Sequence, residues 1–426
     1  MKKFFCLTSA ISILSMMLVP VHANQRNLVN GTRNLTFTSD AVAREWNEIA
    51  FTTIGNPGPL PGARFMAIVQ VAVFEAVNAT TGKYEPYLGT VTSPPGASPE
   101  AAAIMAAHGV LSSLFPAQTA NLDLRRDASL ALIPDGPSKS DGIAVGMAAA
   151  AAMLADRMND GSAPPLFHLP DNSDPYEWQV YPGCPVGGGA FKHWPNVRPF
   201  AIENASKFRA IPPPALRTGV YAQDYNEVQA VGDINSPNRP QDRTDVARLY
   251  AVSVPPSLWN LTLLQILSDR NDDISDTARI MALLNMTTSD AAVAVFESKY
   301  FYRTWRPITA IPRGDEDGNR WTIPSAFTPL IGTPCFPSYP SAHATISGAS
   351  LKVLERAYGR FGHSITVTHP SLPGIEVTYS DLNTILEDIS DARVYGGIHF
   401  RFDQTGGERQ GDRIGNFVYN HMLKRR

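Results

Sequence analysis

The sequence predicts an all-α fold of two helical bundles, on three observations. Apolar residues recur at helical spacing in segment after segment, while the two-residue alternation of strands is scarce. With 426 residues and 44% hydrophobic content, the chain can bury one large core or two modest ones. A stretch rich in proline and glycine then separates an earlier group of helices from a later one.

Residues 1–23 have the pattern of an export signal. Lys2 and Lys3 form a basic start, Phe4 to Val21 are largely apolar, and Val21-His22-Ala23 fits a small-residue cleavage site. A membrane anchor is the other reading, and the small residues at its end favour cleavage. Removing the segment leaves 34 basic against 39 acidic residues, so the net charge moves from −3 to −5. A mildly acidic chain has no electrostatic footprint for nucleic acid. No later apolar run reads as long enough to span a bilayer, the nearest being the Ala-rich 144–155. The mature protein is expected to be exported, to the periplasm or outside the cell.

Helical periodicity covers 41–53 and 63–79, the latter apolar nearly all round and so a core helix. Arg64, Glu75 and Asn78 interrupt it and read as paired structural polar groups. Ser98-Pro99-Glu100 opens a helix over 99–114, followed by 117–133 and 138–159. Residues 161–216 carry many prolines and three glycines at 187–189, and the domain boundary is placed near their end. This gives a scaffold bundle over 24–215 and a second bundle over 216–426. Helices follow over 219–231, 242–253, 255–269, 273–305, 341–361, 379–395 and 404–424, with one short hairpin from 365–368 and 375–379.

Three stretches of the second bundle are built for an anion. In Lys299 to Pro307 (KYFYRTWRP) the two cations stand seven residues apart; on one continuous helix that is about 700°, one shared face, with Pro307 ending the helix. In the second, FPSYPSAHAT, a proline-rich loop turns into a helix with Ser341 placed as N-cap. Free amides and the positive end of the helix dipole gather there, and His343 lies on the first turn. The third, Ala392 to His399, ends a helix at paired glycines and offers the Arg393 fork and the His399 imidazole. Each also has a plain structural reading: a solvated cationic face, a capped helix with a surface His, an arginine at a helix end.

As an ordered set, K-x6-RP, PSAH and AR-x3-G-x-H closely resemble the signature K-x6-RP, PSGH, SR-x3-G-x-H of the vanadium-dependent haloperoxidases and type 2 phosphatidic-acid or acid phosphatases. The resemblance covers residues 299–399. It implies a vanadium chloroperoxidase-like fold with the anion site in the C-terminal bundle, and vanadate as cofactor. Lys299, Arg306 and Arg393 would neutralise the equatorial oxygens of vanadate or phosphate, and Ser341 and the amide of Ala342 would hydrogen-bond them. His399 would bind vanadium, or attack phosphorus; His343 would be the acid–base residue. Ala342 and Ala392 depart from the usual Gly and Ser, and neither removes a ligand provided residue 342 does not need φ > 0.

Length and the wording FPSYPSAHAT and GIHFRFD favour the haloperoxidase branch over the typically shorter exported acid phosphatases and the multispanning lipid phosphatases. The implied reaction is oxidation of halide by hydrogen peroxide to a hypohalous acid equivalent, passed to a small organic acceptor. An acid phosphatase with a phosphohistidine at His399 is the alternative; an exported binding protein that kept the site is a third reading. Phe336 matches the halide-pocket Phe of chloroperoxidases, whereas Phe296 stands where they carry Trp, so halide preference stays open. Both also read as core packing.

Cys184 and Cys335, left after Cys6 departs with the leader, could pair in an oxidising compartment, but spacing does not decide it. Asp242 and Asp290 are candidates to orient Arg393. His108, His168, His193, His363, His369 and His421 carry no motif, and surface or structural roles are expected of them.

Overall fold

The computed structural model describes residues 40–55, 57–170 and 176–426; the expected export signal lies outside them. The first group of helices is α1 (Ala41–Ile54), α2 (Pro59–Thr81), α3 (Pro99–Leu114), α4 (Thr119–Ala131) and α5 (Pro137–Arg157). After the proline-rich stretch come α6 (Gly219–Gly232), α7 (Gln241–Val252), α8 (Pro255–Ser268), α9 (Ile274–Tyr302), the single turn α10 (Pro307–Ala310) and α11 (Ala342–Tyr358). Strands β1 (Phe361–Thr368) and β2 (Glu376–Asp381) then precede α12 (Leu382–Tyr395) and α13 (Arg401–His421).

Local chemistry sets these boundaries. Ser98 accepts the Ala101 amide at 3.1 Å and Asp273 that of Asp276 at 2.9 Å, each satisfying a donor that the first helical turn leaves over. The expected hairpin is present and longer than expected, antiparallel with Ile365 opposite Tyr379. It shortens both neighbours: Gly359, at φ 84°, ends α11 before 361, and α12 starts only at Leu382 because 376–381 is strand.

Helix α9 is the axis of the molecule. It packs on α2 of the first group and on α11 and α13 of the second, and one apolar core runs from α1 to α13 around it. Two of its buried polar residues are matched by neighbours: Asn285 exchanges hydrogen bonds with Asn260 at 2.9 and 3.0 Å, and Asp290 takes the amides of Phe200, Ala201 and Ile202 at 2.6 to 2.8 Å. That carboxylate docks the proline-rich stretch onto the axis. Arg64 likewise pairs with Asp160, Glu75 accepts the Tyr87 amide, and Asn78 bonds the backbone of Tyr84, all structural as expected. One expectation is corrected here: α2 and α9 are each long and apolar enough to cross a membrane. Both are mostly buried within the fold, so their apolar length is that of core helices.

Close approach of α13 to α11 depends on missing side chains. A Cβ at Gly411 would lie 2.3 Å from the Thr345 carbonyl oxygen, and one at Gly415 2.5 Å from that of Ala349. The two helices therefore meet backbone to backbone, and the start of α13 is pressed against the start of α11, where the anion-binding stretches converge.

Candidate active site

The chain does not place Lys299 and Arg306 on one helical face. Arg303 adopts φ 49°, its amide capping the Lys299 carbonyl, and α9 ends at Tyr302. Residue 306 is extended (φ −98°, ψ 157°), the conformation that a following proline imposes, and it caps α10. The intervening residues are held as a strand-like segment, with Trp305 donating to the Tyr176 carbonyl and Ser338 to that of Thr304. Both cations nevertheless point inward and are fully buried.

Lys299 Nζ donates to the carbonyls of Pro337 and Ser338 at 2.9 and 2.7 Å. Arg306 donates from Nε to the Phe336 carbonyl at 3.0 Å and from Nη1 to that of Ile398 at 2.9 Å; its Nη2 has no partner. Arg393, in the last turn of α12, donates from Nη1 to the Tyr250 carbonyl at 2.9 Å and leaves Nε unpartnered. Neither expected carboxylate serves it. Asp290 is occupied with the 200–202 amides, and Asp242 is an exposed partner of Arg243. A neutral carbonyl fixes this guanidinium, so its charge is not cancelled locally.

Ser341 caps α11 as expected, accepting the Ala344 amide, and its own amide donates to the Asp403 carbonyl at 2.9 Å. Ala342 is the first helical residue and does not lie at positive φ, so alanine costs nothing there. The first-turn amides of Ala342 and His343 are left over by the helix. His343 Nε2 is buried without a partner.

Asp403 and Ser338 complete the site, and no motif assigned either. Asp403 Oδ2 accepts from His399 Nδ1 at 2.8 Å, from Ser338 Oγ at 2.6 Å and from the Phe400 amide at 3.1 Å. Its carboxylate gives the Nδ1–H tautomer of His399, leaving Nε2 as an acceptor. That atom lies 2.9 Å from Arg306 Nη1, inside the cationic cluster. The available signal was the spacing: an aspartate four residues after His399, at the third position of α13. Gly397, at φ 77°, makes the bend that turns His399 inward, its Cα packed against Gly232 of α6.

Burial and mutual repulsion set the electrostatics. Burial, then Arg306, hold Lys299 well below its ordinary value, and the same two causes lower Arg393 to about 9; burial lowers Arg306 to about 10. His343 and His399 are held well below 6.5, first by burial and then by the three cations. Burial pushes Asp403 up to about 6, opposed by its donors. This donor set suits an oxyanion rather than a bare metal ion. Among the described residues no three His, Cys, Asp or Glu gather as metal ligands, while two guanidiniums and an imidazole keep unpartnered nitrogens. Tetrahedral vanadate or phosphate fits those donors.

Of the two aromatic candidates, Phe336 is half-buried, with Lys299 Nζ 5.3 Å and the Arg306 guanidinium 5.2 Å from its ring centre. Phe296 is enclosed below it, 5.0 Å from Phe336 and 5.7 Å from Phe191 between ring centres, as core. Next to Phe336, Cys335 is disulfide-bonded to Cys184, with Cα atoms 5.5 Å apart, which settles the open pairing.

Residues 279–426 match the second helical-bundle domain of vanadium chloroperoxidase. The vanadium chloroperoxidase of Curvularia inaequalis is 28% identical over a stretch covering 35% of this chain and 30% of that protein, so the match spans under a third of the curated relative. The fold is similar to that of a bacterial vanadium-dependent iodoperoxidase, with TM-score 0.73, 25% identity and 90% and 96% of the two chains covered. A holo-type bacterial vanadium-dependent chloroperoxidase has a similar fold, with TM-score 0.70, 19% identity and 88% and 95% covered. The three stretches thus gather around one buried anion cradle, in a chain whose residues 279–426 match the second helical-bundle domain of vanadium chloroperoxidase and whose fold is vanadium chloroperoxidase-like.

Proposed function

We propose that this protein is a vanadate-dependent haloperoxidase, using hydrogen peroxide to convert halide to a hypohalous acid equivalent that halogenates a small organic acceptor. The observation that carries the reading is the acceptor nitrogen His399 Nε2, oriented by Asp403 and contacted by Arg306 at 2.9 Å, in a cluster of three buried cations where Arg306 Nη2 and Arg393 Nε have no partner. Likeness to haloperoxidases across nearly the whole chain supports this branch.

Vanadate, when bound, supplies a Lewis-acidic centre that activates peroxide without changing its own oxidation state. The chain's residues do the rest. His399 holds the anion through Nε2, taking the place of its contact with Arg306. Lys299, Arg306 and Arg393 balance the oxyanion charge in a site shielded from water, where fixed cations act strongly. Ser341 and the amide of Ala342 orient the oxygens. His343, neutral at pH 7, takes the peroxide proton and later returns it. Phe336 borders the position from which halide approaches. Export, proposed from the leader pattern, is supported by the Cys184–Cys335 disulfide.

The same His399–Asp403 pair is equally placed for attack on phosphorus, which keeps an acid phosphatase as the second reading. A paired assay separates them. Metal-free protein is given orthovanadate, peroxide and iodide, bromide or chloride in one arm, and an aryl phosphate at acidic pH in the other. Halogenation that requires vanadate and disappears in His399→Ala is expected. Phosphate release that vanadate inhibits, without halogenation, would assign the protein to the phosphatases.

A further inference from the structure

One run of three residues supplies acceptors to two of the cradle's cations. The carbonyl of Phe336 takes Arg306 Nε at 3.0 Å, and those of Pro337 and Ser338 take Lys299 Nζ at 2.9 and 2.7 Å. The two ends of this run are anchored differently. At the Ser338 end the amide donates to the Thr304 carbonyl at 3.0 Å and the hydroxyl to Asp403 at 2.6 Å. The Phe336 end is held from the proline-rich stretch. Cys335 is bonded to Cys184, 151 residues earlier, and its carbonyl accepts the Ala190 amide at 2.8 Å. The Thr333 carbonyl accepts the Tyr181 hydroxyl, also at 2.8 Å.

That stretch is itself tied down beside the cation it serves. Gly189 and His168 exchange backbone hydrogen bonds at 2.7 and 2.8 Å, and the Trp178 amide donates to the Arg303 carbonyl at 2.6 Å. The Tyr300 hydroxyl donates to the Ala190 carbonyl. Tyr300 adjoins Lys299 in the last turn of α9, and Arg303 caps that helix. The stretch therefore bridges from the helix that carries Lys299 to the loop that supplies its acceptors.

We propose that the Cys184–Cys335 disulfide and Tyr181 position the cradle, setting the Phe336 and Pro337 carbonyls, and through them Arg306 and Lys299, for an oxyanion. Opening the bond leaves the Ser338 end in place and loosens the Phe336 end, so affinity for the oxyanion falls without loss of the fold. Reduction of the S–S bond takes two electrons and two protons and gives two thiols. Both cysteines are half-buried beside the exposed Gly183, Pro185 and Val186, within reach of a reductant in solution. The proposal rests on the oxyanion reading of the cradle and not on which reaction is run there.

The test titrates orthovanadate calorimetrically into the metal-free full-length protein in three forms. One has the disulfide intact, and one is reduced by a phosphine, which leaves as its oxide, and freed of excess reagent. The third is Cys184→Ala/Cys335→Ala, which separates this bond from any effect of Cys6. A Kd about tenfold weaker is expected in both open forms, with circular dichroism unchanged, and reoxidation of the reduced form should restore it. Tyr181→Phe keeps the ring and the disulfide, and should weaken binding about threefold. A disulfide that only staples the fold would lower the thermal midpoint and leave the Kd of the folded protein unmoved, and that result overturns the proposal. Should the open forms fail to fold, Tyr181→Phe decides alone, an unchanged Kd again overturning it. Absence of binding with the disulfide intact would contradict the cradle itself, and this proposal with it.

Discussion

Asp403 decides what His399 can do. An imidazole among three cations has two nitrogens to offer, and the carboxylate at 2.8 Å fixes the proton on Nδ1, leaving Nε2 for the anion. Asp403→Asn keeps an acceptor but removes the charge, so vanadate-dependent activity should fall about 10- to 100-fold with the fold intact, measured as kcat/KM for halide. His343 gives a second prediction. Its imidazole is held well below its ordinary value by burial and the three cations, and a bound oxyanion that offsets the cations should raise it. Nitrogen-15 NMR of His343 reads this directly, and a titration unmoved by vanadate would contradict the cradle. The sign for stability follows. Below 6.5 the unfolded chain takes the proton first, so His343 withdraws stability as pH falls from 6.5 towards its folded value. Asp403, raised to about 6, works in the opposite sense, adding stability as pH falls from about 6 towards 3.8. The six motif residues were legible because their types and spacing form a set. Asp403, Ser338 and the Tyr250 carbonyl were not, since their roles exist only once three distant segments meet. Asp242 and Asp290 were poor guides for the same reason: a carboxylate near in type is not near in space.

At the scale of the element, the end of α9 and the face of α13 shape the site. Periodicity ran the axis helix through to Arg306, and the left-handed turn at Arg303 is a conformation that composition does not announce for an arginine. Pro307 was read as the stop of that helix, but α9 already ends at Tyr302, and Pro307 instead opens α10 and holds Arg306 extended before it. Helix centres were legible from apolar spacing, whereas the ends beside the hairpin were not, because β1 and β2 take over residues whose local pattern also suits a helix. The glycines of α13 carry a prediction of their own. At Gly411 an alanine Cβ would sit 2.3 Å from a carbonyl oxygen of α11, so Gly411→Ala should cost about 1–3 kcal/mol or more by forcing the helices apart. Chemical denaturation measures it, and an unchanged midpoint would show that this contact gives way freely. Because α11 carries Ser341 and His343, the same substitution should also weaken vanadate binding.

For the whole molecule, the fold brings three like charges together in one buried cradle. Lys299, Arg306 and Arg393 are each buried and each lowered, and carbonyl acceptors with one carboxylate, Asp403, offset only part of that cost. The α9 axis makes this possible, since it ties the first helical group, the proline-rich stretch and the second group into one core. An oxyanion should therefore stabilise the whole protein, by about 2.7 kcal/mol at a free concentration one hundred times its Kd. The most direct measurement is calorimetric titration of orthovanadate into the metal-free protein, wild type beside His399→Ala. Saturable one-to-one binding by the wild type, weakened at least about a hundredfold in the variant, is expected of a cradle centred on His399 Nε2. Equal binding by both proteins would contradict it.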